Sequence, residues 1–216
     1  MVDRIDIYDA NLNRIGEMDR IEAHLKGHWH RTFHCWIVSP QNDGQLLFQK
    51  RADTMKNFPG LLDVSAAGHL EAGESVIAGV REVTEELGIV LDPTKLRELG
   101  ERVEVADQAN GQRNREYQSV FMYRSDVPLE SYKPASDEVA ALVWLPISDG
   151  FRIFTGSDES LKLSGFTYEV SGGTAWEPFN MTVSRDAFLP RIQRYYLTAL
   201  IMAGRLLKDE TPLAIS

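Results

Sequence analysis

Between residues 75 and 88 the chain carries one short helix whose two faces make opposite demands. The run Arg81-Glu82-Val83-Thr84-Glu85-Glu86-Leu87 is followed by Gly88, and strand-like runs stand on both sides of it. A helix is expected over 75–87, with Ser75 as its N-cap and Gly88 as its C′ stop. Glu82, Glu85 and Glu86 stand at i, i+3 and i+4, within roughly a 100° arc of one face. Ile77, Val80, Val83 and Leu87 supply the apolar residues that hold the helix down. Like charges spaced this way repel by a few tenths of a kcal/mol per pair. Either the face is simply solvated, or a hard cation such as Mg2+ or Mn2+, which prefers carboxylate oxygens, relieves the crowding.

The flanks read as strands at about 33–39 and 45–49, joined through Asn42-Asp43-Gly44, and again at 99–106, 117–124 and 139–145. Ile5, Ile7 and Ile15 flank the turn-rich Asp9 to Asn13 and form an N-terminal hairpin. Strands, one helix, then more strands suit a mixed α+β sandwich better than a doubly wound sheet. Residues 150–183 hold five glycines and scattered aromatics and read as an extended insertion. From Pro190 the pattern turns helical: Ile192, Tyr195, Ala199, Met202 and Leu206 form one stripe, for the chain's own core or for a homodimer contact. The aromatics from Phe166 to Phe179 serve either as a pocket cap or as packing.

Apolar residues at 43 % and charged residues at 25 % are ordinary globular values. The 23 basic and 32 acidic residues give a net charge of −9, which argues against a nucleic-acid surface. The N-terminal residues lack the apolar stretch of a signal peptide, and no run approaches the ~20 apolar residues of a membrane span, so a cytoplasmic location without membrane contact is expected. Cys35, the only cysteine, excludes an intrachain disulfide and reads as a buried structural thiol.

The stretch from Gly68 to Ile89 resembles the Nudix box: Gly, five residues, Glu, seven residues, Arg-Glu-apolar-any-Glu-Glu-any-Gly-apolar. Gly68, Glu74, Arg81, Glu82, Val83, Glu85, Glu86, Gly88 and Ile89 match. Only six residues separate Glu74 from Arg81, a deletion near Ser75–Ile77 that puts the role of Glu74 in question. The resemblance implies an α+β fold, a Nudix-type α/β/α sandwich with a mixed sheet, an N-terminal hairpin and a C-terminal helical extension. One Nudix domain is expected over 1–150, with the insertion and C-terminal helix of 151–216 packed on it. It further implies a metal-dependent hydrolase cleaving a small-molecule diphosphate, with Mg2+ or Mn2+ on Glu82, Glu85, Glu86 and the Gly68 carbonyl. Arg81 would orient these carboxylates.

Further motifs are similar to the Nudix branch containing isopentenyl diphosphate isomerase. They are His24 to Arg31, Gln49-Lys50-Arg51, Lys56 to Gly60, Ser65 to His69 and Asn114 to Tyr117. That likeness implies a second metal group from His24, His30, His69 and Glu116, with Asn114 replacing a further glutamate, and diphosphate contacts from Arg51 and Lys56. Each of these residues can also be an ordinary core or surface residue. Ala67 stands where the isomerase carries its catalytic cysteine, so that route to isomerisation is absent and hydrolysis is favoured. A nucleotide-linked diphosphate and an isoprenoid diphosphate both remain open as substrates. A non-catalytic nucleotide-binding module would be marked by lost box glutamates, and all three are present. Glu116 is the favoured general base, on a rigid strand, ahead of Glu82 and Glu138.

Overall fold

The computed structural model describes residues 3–169 and 175–216. The elements in chain order are β1 (Arg4–Tyr8), β2 (Arg14–Asp19), α1 (Arg20–Lys26), β3 (Trp29–Ser39), β4 (Gln45–Arg51), β5 (Leu62–Asp63), β6 (Ala66–His69), α2 (Arg81–Leu87), β7 (Arg97–Asp107), β8 (Arg113–Arg124), β9 (Val139–Pro146), α3 (Ile147–Thr155), β10 (Leu161–Glu169), β11 (Ala175–Val183) and α4 (Tyr195–Leu207). The strands join in one mixed sheet. Only the β3–β8 pairing is parallel, and the other ladders between these strands are antiparallel.

The central strand β3 organises the site. Along one edge it pairs in succession with β1 at Trp29 and His30, with β6 at Thr32 to Cys35, and with β4 only at Val38 and Ser39. Its other edge runs parallel to β8 from His30 to Val38. β3 and β4 therefore meet at one end and diverge at the other, with β6 on β3 and β5 on β4 lining the split.

Alternation along β3 sends Phe33, Cys35 and Ile37 to one face and His30, Thr32, His34, Trp36 and Val38 to the other. Phe33, Cys35 and Ile37 pack with Val83 and Leu87 of α2. Trp36 and Val38 pack with Ile147 and Ile153 of α3 and with Tyr195, Tyr196, Ala199, Leu200, Ala203 and Leu206 of α4. The result is the expected α/β/α sandwich, each fully buried large apolar side chain contributing about 1.5–3 kcal/mol. Cys35 is buried as expected. The close approach of α3 and α4 needs Gly150, where a Cβ would lie 2.6 Å from Leu200.

Several elements differ in detail from expectation. The helix of 75–87 is a 3-10 turn over Val76–Val80 followed by α2, and Ser75 makes no side-chain cap bond. A 3-10 segment rises about 2.0 Å per residue against 1.5 Å for an α-helix, so it reaches the same distance with fewer residues. A 3-10 turn can therefore span the joint with one residue fewer. The glycine-rich insertion contains β10 and β11, a strand pair that extends the main sheet beside β9, so residue 150 falls inside α3. α1, unmarked by any periodicity, starts at the N-cap Asp19, which accepts from Glu22 N. The apolar stripe of the C-terminal helix is occupied by the chain's own core, while Ile192 lies before α4 and stays 36 % exposed.

Candidate functional site

β6 is the partition between two groups of polar side chains. Ala67 and His69 share one of its faces and line a polar pocket of about 160 Å³ on the α4 side of the sheet. On the α2 side, the carboxylate of Glu82 rests against the bare α-carbon of Gly68, where a Cβ would lie 1.9 Å from the carboxyl carbon. Glu86 occupies the split between β4 and β6, accepting from Gln49 Nε2 at 3.1 Å and from Ala67 N at 3.0 Å. Burial pushes the Glu82 carboxyl up to about 7, against the lowering influence of Arg81. Burial also raises Glu86 well above the carboxylate range, although both of its hydrogen bonds favour the anion. Glu85 is exposed and accepts from Arg81 Nη1 at 2.9 Å.

Arg81 ties the group together. Its Nε and Nη2 bond Glu74 at 2.8 and 3.1 Å, its Nη1 bonds Glu82 at 2.6 Å, and its Nη2 also reaches the His69 carbonyl at 3.0 Å. Glu74 thus anchors the arginine that orients the helix carboxylates, despite the shortened joint. Gly88, in the left-handed region at φ 66°, ends α2 and lets the backbone at Lys133 pack against it. Lys133 N and Ala135 N bond the Leu87 and Glu86 carbonyls, each at 3.0 Å. This docks the loop carrying the exposed Glu138, whose charge raises both Glu82 and Glu86.

The second group follows from register. His30 opens β3 opposite Glu116 of β8, His69 ends β6 opposite Thr32, and α1 brings in His24. One ligand atom from each of His24, His30, His69 and Glu116 lies within 4.8 Å of the others. His24 Nδ1 lies 2.8 Å from the Arg20 carbonyl, and His30 Nδ1 lies 2.9 Å from the His28 carbonyl. A carbonyl only accepts, so both Nδ1 atoms carry protons, and in this tautomer each Nε2 presents its lone pair. His24 Nε2 stands 3.3 Å from His69 Nε2, and His30 Nε2 is buried without a hydrogen-bond partner, 4.0 Å from Glu116 Oε1. Burial depresses the basicity of His30 and His69, keeping their imidazoles neutral. Neutral imidazoles with outer hydrogen bonds and an adjacent carboxylate fit a divalent cation. Glu116 also accepts from Gln118 Nε2 at 2.6 Å.

The pocket is lined further by Arg51, Asn114 and Glu116. Lys56 is exposed and outside the lining, although its neighbours Asn57 and Phe58 belong to it. Of the aromatic segment, Phe166 and Phe179 pack on the two cores away from the pocket, and the side chains of Tyr168 and Trp176 lie outside those described. Sequence reasoning missed Thr32, His34, Asp63 and Arg191, all of which line the pocket. His34 bonds Tyr195 Oη at 2.9 Å and is held neutral by burial beside Arg191 and Arg102. No spacing rule links Asp63 to Arg191, since only the tertiary fold joins them.

A Nudix domain profile matches residues 28–163. An uncharacterised Nudix hydrolase of Clostridium acetobutylicum is 34 % identical over 200 residues, covering 91 % of this chain and 94 % of its own. An isopentenyl-diphosphate Delta-isomerase of Halorhodospira halophila is 31 % identical over 146 residues, 66 % of this chain and 79 % of its own. A crystal structure of a Deinococcus radiodurans protein superposes with a TM-score of 0.56 at 24 % identity, covering 71 % of this chain and 90 % of that one. That likeness concerns the fold alone. The chain belongs to the Nudix family. Within it, the chain is a hydrolase of phosphorus-containing anhydrides. Among the described residues no helix is long and apolar enough to cross a membrane.

Proposed function

We propose that the chain hydrolyses the diphosphate linkage of a nucleoside-diphosphate-linked or related organic diphosphate, with Mg2+ or Mn2+ as cofactor. The observation that carries this reading is the shared wall at β6: a polar pocket with arginine and imidazole side chains backs directly onto the box glutamates. Glu82, Glu85 and Glu86 would hold the catalytic cation with the Gly68 carbonyl, and His24, His30 and His69 a further one. A bound divalent cation neutralises diphosphate charge and lowers the pKa of its water. Arg81 fixes the helix carboxylates, and Arg51 meets the phosphate oxygens with its bidentate fork, with Lys56 as a more distant point charge. Glu116 takes the proton from the attacking water. It lines the pocket, whereas Glu82 and Glu138 do not.

An isoprenoid diphosphate is the second substrate reading, favoured by the isomerase relatives. The test is a panel of nucleotide-linked, free nucleotide and isoprenoid diphosphates, with both products identified for each compound turned over. Alongside it, Glu116→Gln at saturating metal and substrate should lower the maximal rate by at least about tenfold. A smaller loss would move the base to Glu82 or Glu138.

A further inference from the structure

Outside the profile-matched region, the strap before α4 delivers a cation to the pocket. Phe188 forms a parallel bridge with Leu62 of β5, and Leu189 N bonds the Leu62 carbonyl at 2.8 Å. On the far side Ile192 is clasped by Arg102 Nη2 on its carbonyl at 3.1 Å and by Glu104 on its N–H at 3.3 Å. Between these anchors Arg191 turns inward, its side chain only 9 % exposed, and bonds Asp63 Oδ1 at 2.5 Å. Arg51 lies 3.7 Å from the other oxygen of the same carboxylate.

Asp63 therefore faces two guanidinium groups, and one of its oxygens is already engaged by Val64 N at 2.8 Å. Arg102 adds no free charge, because Glu104 pairs with it at 2.7 Å, and His34 is neutral. Two guanidinium groups thus share the single carboxylate of Asp63, while the other carboxylate of the lining, Glu116, stands with the histidine group. Two buried polar atoms of the lining, Arg191 Nε and Thr32 Oγ1, also have no hydrogen-bond partner. An anion with several acceptor oxygens would accept from both of these groups.

We propose that Arg191 is a substrate-binding residue that joins Arg51 in a two-arginine clamp on the diphosphate, so that the C-terminal strap completes the active site. This rests on the diphosphate reading of the same pocket. Asp63 orients the Arg191 fork, the Asn57 carbonyl holds Arg51 Nε at 3.2 Å, and the anchored strap keeps Arg191 from retreating. Arg191 and Leu189 also line an adjoining cleft of about 680 Å³ that contains Phe154 and Tyr196, so the clamp stands where a bound organic diphosphate would pass between the two spaces.

The test uses methylenediphosphonate, which cannot be hydrolysed at its bridge, titrated calorimetrically into the full chain with Mg2+. Arg191→Gln should weaken binding on the order of tenfold to a hundredfold, the loss expected for charge-assisted hydrogen bonds. Arg191→Lys, which keeps the charge without the fork, should fall between Arg191→Gln and the unmodified protein. Lysine also carries the test if the glutamine variant fails to fold. Binding unchanged in a folded variant, with only its melting temperature lowered, overturns the assignment and leaves Arg191 as a structural partner of Asp63. If the unmodified protein does not bind methylenediphosphonate, the diphosphate reading itself fails.

Discussion

Gly68→Ala tests the thin wall between pocket and helix. The added Cβ would lie 1.9 Å from the Glu82 carboxyl carbon and 2.1 and 2.2 Å from its oxygens. Ordinary carbon–carbon contact is about 3.5 Å, so the carboxylate must retreat by roughly 1.5 Å. It cannot do so alone, because Arg81 holds it at 2.6 Å and also grips Glu74 and Glu85. Misplacing a catalytic group by about 1 Å can cost about a hundredfold in rate, so a loss of that order is expected. Stability should fall by about 1–3 kcal/mol, the usual range for overpacking. Initial rates at saturating Mg2+ and substrate, with thermal melts, measure both. Gly204→Ala on α4 is the control. Nothing lies within 4 Å of its new Cβ, so it should keep the normal rate and gain about 0.5–1 kcal/mol of helix stability. A Gly68→Ala enzyme with unaltered rate and melting temperature would show that Glu82 need not rest against the backbone of Gly68.

Gly88→Ala should destabilise the protein by more than about 1 kcal/mol. Its φ of 66° disfavours a side chain, and the new Cβ would sit 2.3 Å from the Lys133 carbonyl oxygen. Denaturant unfolding measures the loss, and stability within 0.5 kcal/mol of the parent would contradict it. Cys35 is buried and its thiol is raised well above the ordinary range, so a disulfide reagent at pH 8 should leave it unmodified until denaturant is added. Rapid labelling of the native protein would mean that the strand opens. Ala67 offers no titratable proton, so purified protein should not interconvert isopentenyl and dimethylallyl diphosphate, and robust isomerisation would overturn that expectation.

The glutamate helix and the strands around it were legible because each feature is local. Glu82, Glu85 and Glu86 follow helical spacing, and Gly88 marks a left-handed stop. The histidine group was legible only through likeness to a family, since His24, His30, His69 and Glu116 come from four elements. The 3-10 turn at Val76–Val80 was hidden because Ile77 and Val80, three residues apart, also fit an α-helical pattern. β10 and β11 were obscured by glycines, of which Gly165 is required by packing: a Cβ there would meet the Leu142 carbonyl at 2.0 Å. Asp63 and Arg191 lie 128 residues apart and belong to no common periodicity, so their pairing exists only in the folded chain.

We propose that the carboxylates of one helix hold the cation that makes diphosphate hydrolysis possible. Turnover of the best substrate from the panel should be measured with Mg2+ or Mn2+, after chelation, and in Glu85→Gln and Glu86→Gln. Chelation should abolish turnover, and each variant should lose roughly a hundredfold or more while its circular dichroism spectrum is unchanged, because amides are poor ligands for hard cations. Near-normal rates in both variants, or full turnover after chelation, would contradict it.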